Sequence, residues 1–171
     1  MLGHCVYAMK FIVIPLVIVA VVFIWWRFFY VARPEFPPLV VEPDDPLMRD
    51  AMAKAKETAA RFRELAGQPN RGIRVKIPFV SSSGTTEYLW AEVLSFRDSQ
   101  MEVRYLTPPV THTGRLERLH THPVSDLVDW QVELESGSYA GGYTMRVMFV
   151  RGREQWGDLP AELAAEETKY E

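Results

Sequence analysis

Cysteine is almost missing from this chain. Cys5 is the only one in 171 residues, which excludes an intrachain disulfide and a cysteine-based zinc site. A strong excess of charge of one sign is missing too. The net charge is −3, which gives no general attraction to nucleic acid. Several enzyme signatures are absent: no HExxH helix, no GxSxG elbow, no glycine-rich loop opening a helix for a phosphate. There are no internal repeats.

What is present begins with an apolar run. Residues 11–26, FIVIPLVIVAVVFIWW, carry no charge. With Arg27 snorkelling to the headgroups, the run extends to residue 32 and reaches roughly 33 Å, enough for one bilayer span. Trp25, Trp26, Phe28, Phe29 and Tyr30 form an aromatic belt. A cleaved signal peptide needs small residues before the cut, and VFIWWRFFYVARP does not offer them at both places. The segment therefore reads as an uncleaved, single-pass anchor in the cytoplasmic membrane. Lys10 on one flank and Arg27 and Arg33 on the other leave its orientation undecided. Residues 32–46, ARPEFPPLVVEPDDP, hold five prolines and four acids and read as a semi-extended spacer.

A helix is expected next. Asp45 is its N-cap and Pro46 suits the first turn. Met48, Ala51, Met52, Ala55, Ala59, Phe62 and Leu65 recur at helical spacing and predict one apolar stripe, closed by Gly67. The period then falls to two. Ile73, Val75, Ile77 and Phe79 alternate with polar residues, followed by strands around EYLWAEVLSFR, Met101–Tyr105, LERLHTH and LVDWQVELE. Gly141 and Gly142 read as a bulge, and Tyr143, Met145, Val147 and Phe149 as a last strand. The fold class is α+β: one transmembrane helix, then one amphipathic helix packed on a curved antiparallel sheet of five or six strands, open to partial barrel closure. The layout is anchor 1–32, spacer 33–46, domain 47–150 and an acidic tail 151–171 with a helix-prone AELAAEETK.

The order AMAKAKET, VKIPF, EYLWAEV, VSDLVDW, GGYTMRV resembles the YegJ-like bacterial family, domain of unknown function number 2314. The resemblance implies a small α+β domain without an assigned activity. Several members carry secretion signals or lipid anchors, which points the domain to the outer side of the membrane. In RYLTPP, Tyr105 and Thr107 stand where the family has glycine and asparagine.

Candidate chemistry gathers in RLHTHPVSDLVDW. His120 and His122 share a strand face, and His112 is the only further imidazole nearby in sequence. Without a third linked ligand the stretch reads as a polar edge strand, and no metal or cofactor is expected. Asp126 and Asp129 could act as an acid/base pair. The structural alternative makes Asp126 a turn cap and Asp129 a solvated residue on the face opposite Trp130. Ser81, Ser82 and Ser83 read as a loop. Trp90 and Trp130 read as core. A stacking groove with Tyr88, Tyr105 or Tyr143, rimmed by Arg74, Lys76, Arg104 and Arg146, is the alternative. The binding candidates are Trp90, Tyr105, Asp126, Asp129, Trp130 and Arg146. The leading expectation is a membrane-anchored, non-enzymatic module that binds a protein or an envelope polymer. The alternatives are a hydrolase using His120, His122, Asp126 or Asp129, and an immunity or inhibitor protein.

Overall fold

Asp45 begins the ordered domain. In the computed structural model, which describes residues 36–39, 41–42, 44–113 and 119–170, its carboxylate accepts from the amides of Leu47 (2.9 Å) and Met48 (3.2 Å). Pro46 fills the first position of α1, Pro46–Glu57, where its missing N–H leaves nothing unpaired. The expected anchor lies outside the described residues. Among those described, no helix is long and apolar enough to cross a membrane. All the elements below belong to one unit, Pro38–Glu171.

The single helix expected up to Gly67 is broken. α1 stops at Thr58 and α2 spans Ala59–Ala66. The Thr58 hydroxyl donates to the carbonyls of Lys54 (2.8 Å) and Ala55 (3.2 Å), and the Trp130 indole N–H reaches the Ala55 carbonyl at 3.1 Å. These donors compete for the carbonyls of that turn and bend the helix there. The predicted stripe still faces inward, with Met48, Ala51, Ala55 and Phe62 buried.

Six strands follow: β1 Gly72–Val80, β2 Thr86–Arg97, β3 Gln100–Tyr105, β4 His120–Pro123, β5 Asp129–Glu133 and β6 Tyr139–Gly141. They form one open sheet, ordered β4-β3-β2-β1-β5-β6, with every neighbouring pair antiparallel. The sheet does not close. One face carries Val75, Ile77, Ala91, Val93, Met101, Val103, Trp130 and Val132 into a core with Ala55 and Phe62. A register shift between Val93 and Ser95 lets Phe96 meet the Phe62 ring at 5.9 Å on that same face.

The last expected strand is a helix. α3 runs Tyr143–Trp156, across the expected domain end at 150. Gly142 adopts φ +66° and turns the chain out of β6. The apolar residues of 143–149 satisfy either period, and the helix gains packing because Val147 docks on Met48 and Ala51 of α1. Arg151 of α3 also reaches the Asp45 carboxylate at 2.7 Å. A short α4, Ala161–Glu167, completes the chain.

Candidate functional site

The corner between β4 and β5 separates the two aspartates. Val124–Asp126 form a single 3₁₀ turn, and Leu127 and Val128 are buried beneath it. Asp129 begins β5 on the side of the sheet away from Trp130, but it is not solvated: its exposure is 0%. Its carboxylate accepts from the Thr144 amide and hydroxyl, both at 2.7 Å, and from the amides of Trp130 (2.8 Å) and Tyr143 (3.2 Å). It thus caps α3 from another element, where a carboxylate suits the helix N-terminus. Burial pushes the carboxyl above its ordinary value, and the Thr144 donors pull the other way. Lys76 lies opposite in the ladder. Burial lowers its ammonium pKa and the Asp129 charge opposes that shift.

Trp130 is wholly buried between Phe62 (5.5 Å) and Tyr143 (5.9 Å). Its indole presses against Gly141, where an added Cβ would lie 2.6 Å from Cε3. Asp129 and Trp130 therefore belong to the interior, out of reach of a partner.

Asp126 behaves differently. It stays partly exposed, and its Oδ2 lies 3.6 Å from Nδ1 of His122. The other ring nitrogen of His122 is 2.9 Å from the Tyr105 hydroxyl. Register explains this meeting: β3 and β4 pair Met101 with His122 and Val103 with His120, so both imidazoles share a face with Tyr105. The Tyr105 ring sits 4.7 Å from His120 and 5.5 Å from Phe79. His112 stacks edge-on against Phe79 at 5.3 Å, and its Nδ1 accepts from the Ser82 amide at 3.3 Å. Three strand ends and one loop thus assemble a phenol, a phenyl ring and three imidazoles. Both nitrogens of His122 face protein partners. Among the described residues, no group of three His, Cys, Asp or Glu could hold a metal. Burial pushes the Tyr105 hydroxyl up to about 12, so at neutral pH it carries its proton.

Glu87 anchors the loop that carries His112. Its carboxylate accepts from the amides of Val110 (2.8 Å) and Thr111 (2.7 Å) and from the Thr111 hydroxyl. The Thr111 hydroxyl bond, then the Val110 amide, hold its pKa below the ordinary value. Sequence reasoning missed this residue, because its partners lie more than twenty positions away and no local pattern marks them.

The alternative stacking set is divided: Tyr88 and Trp90 share the outer sheet face with Arg74, Lys76 and Arg104, while Tyr105, Tyr143 and Arg146 lie elsewhere. Trp90 is half-buried opposite Lys76 on the outer sheet face, whereas Tyr105 pairs with Ala91 on the inner one. Tyr143 packs on Trp130 instead. Arg146 lies on α3, not on a strand. It donates to the Gly141 carbonyl at 3.2 Å, and its guanidinium sits 5.8 Å from the Tyr143 ring. Arg104 pairs with Glu92 on the outer face. A separate open hollow of about 600 Å³ lies beside Val41, Asp45, Arg151 and Glu154. Arg151 there pairs with both Asp45 and Glu154, and the hollow holds none of the candidate residues.

A family model described as an uncharacterized protein conserved in bacteria, domain of unknown function 2314, matches residues 45–155. No curated protein and no solved structure matches the chain.

Proposed function

The chain belongs to this bacterial family, and from that premise we propose that it is a membrane-tethered, non-enzymatic binding module. Its contact surface is the end of the sheet built by Phe79, Tyr105, His112, His120 and His122, and its partner is a protein or an envelope polymer. One observation carries the reading. Val110, at 90% the most exposed large apolar residue among those described, lies two residues before His112 in the loop that packs on Phe79, beside this half-buried aromatic and imidazole cluster. Exposed apolar area rimmed by polar rings suits recognition of a partner. The apolar run 11–26 and the proline-rich spacer after it supply the tether. The domain then stands outside the cytoplasmic membrane.

A photo-crosslinking amino acid at position 110 of the full chain, in bacterial membranes, tests this. The expected result is one discrete crosslinked species that Tyr105→Ala removes, with none from the same probe at Tyr88 on the outer face. Equal crosslinking from both faces, or none from position 110, contradicts the reading. Protease added to intact spheroplasts should degrade the domain, and protection would place it on the inner side.

A second reading, a hydrolase, draws on the order carboxylate, imidazole, hydroxyl in Asp126, His122 and Tyr105. A nucleophile needs a depressed pKa or an activating base, and Tyr105 is shifted the wrong way. Turnover of ester or phosphoester substrates by residues 44–171, abolished by His122→Ala, would establish the enzyme instead.

A further inference from the structure

The end of the chain is held in an unusual manner. α4 buries none of its residues, and no side chain caps its start at Pro160. Packing of an apolar face is what stabilises most short helices, and α4 has little of it, with Leu163 and Ala164 only half-buried. Two point attachments hold the segment instead. Glu167 forms a two-bond ion pair with Arg153, one bond measuring 2.6 Å. Beyond it, the Lys169 carbonyl accepts from the Tyr139 amide at 2.7 Å, and Tyr170 bridges Tyr139 in a parallel sense.

That second attachment has the form of a strand added to a sheet edge. β6 is an outer strand of the sheet, and Tyr139 is its first residue. The Tyr170 ring fills a pocket made by Tyr139 (5.1 Å) and Phe149 (5.4 Å), and its hydroxyl donates to Oε1 of Gln131 at 3.1 Å. Gly142 makes room, since a Cβ there would overlap the ring. Lys169 places its ammonium 5.8 Å from the centre of the Tyr139 ring. A main-chain bond supplies register, and an aromatic pocket and a cation site supply selectivity. The pocket residues Gln131, Tyr139, Gly142 and Phe149 all fall within the family match of 45–155, while Lys169 and Tyr170 fall outside it.

We infer that the β6 edge is a docking site for an extended peptide carrying a Lys-Tyr pair, which the chain's own tail occupies as a displaceable plug. A tethered tail acts at an effective concentration of order millimolar, so an added peptide binds measurably only when the tail's grip is loosened. The apparent affinity scales with the fraction of chains whose edge is free. This site is separate from the Tyr105 cluster and stands whether or not that cluster binds a partner.

The probe is a fluorescein-labelled peptide with the sequence of residues 161–171, AELAAEETKYE. Tyr170→Ala in the full chain removes the plug's anchor and leaves the pocket intact. The expected result is that this variant binds the peptide at least about tenfold more tightly than the unaltered chain, and that replacing the peptide's tyrosine by alanine abolishes binding. A folded Tyr170→Ala chain that ignores the peptide overturns the proposal, and so does one that cannot fold without the ring. Hydrogen exchange on the unaltered chain gives an independent reading. The Tyr139 amide should exchange at least about a hundredfold faster than the amides of β1, through local release of the tail. Exchange as slow as that of β1 would make the tail an integral strand and overturn the plug.

Discussion

Two aspartates three residues apart in SDLVDW end in opposite surroundings. Asp126 is partly exposed, shares one contact with His122 and holds no helix. Asp129 is sealed from solvent and gathers four donors, three of them from Tyr143 and Thr144 at the start of α3. The local sequences are alike. What differs is which element arrives: a helix N-terminus from fifteen residues downstream for one, an imidazole four residues upstream for the other. The same contrast divides the domain. Around Asp129 the polar groups are buried and partnered, which is what a scaffold needs. Around Tyr105 and His122 polar groups lie half-exposed beside bare apolar side chains, which is what a contact surface needs.

Substitutions can break or sharpen that contrast. The largest effect belongs to Asp129→Ala. It strands the Thr144 and Tyr143 donors in the interior and uncaps α3, so stability should fall by about 3–5 kcal/mol, read as the midpoint shift in urea unfolding. Trp130→Phe keeps the ring packing but removes the indole N–H bonds to the Ala55 carbonyl and the Thr58 hydroxyl. Its expected cost is about 1–2 kcal/mol in the same experiment. The pH dependence of Asp129 comes next. Burial raises its folded pKa above the ordinary 3.8, so the folded state holds the proton longer than the unfolded one. Its contribution is therefore fully present below the unfolded pKa and is lost as pH rises through the folded pKa. The stability of the native chain relative to Asp129→Asn should fall across that window and stay flat above it. A difference that rises with pH would mean the donors outweigh burial. The smallest stability effect belongs to Asp126→Asn. An exposed pair contributes within about 0.5 kcal/mol, and thermal unfolding should barely move.

The sequence disclosed what depends on near neighbours. The Asp45 cap, the stripe from Met48 to Leu65 and the alternation from Ile73 to Tyr105 follow from local spacing, and each stands in the fold. α3 was illegible because its cap comes from Asp129 on another element and because Tyr143, Met145, Val147 and Phe149 alternate as a strand would. Asp129 was misjudged for the same reason, since alternation showed its side of the strand but not what covers it. The common face of His120 and His122 was legible from their spacing. Their meeting with Tyr105, Phe79 and His112 was not, because it depends on register across long connections. The break at Thr58 depends on a tryptophan seventy-two positions away.

The most direct test of the division between scaffold and surface pairs two substitutions within one crosslinking experiment. With the probe at position 110 of the full chain, Tyr105→Ala and Asp126→Asn are introduced separately, and unfolding midpoints are measured alongside crosslinking yield. The expected result is loss of the crosslinked species in Tyr105→Ala while the domain stays folded, and a reduced yield in Asp126→Asn with an unchanged midpoint. Undiminished crosslinking in both folded variants would contradict the assignment of this end of the sheet as the contact surface.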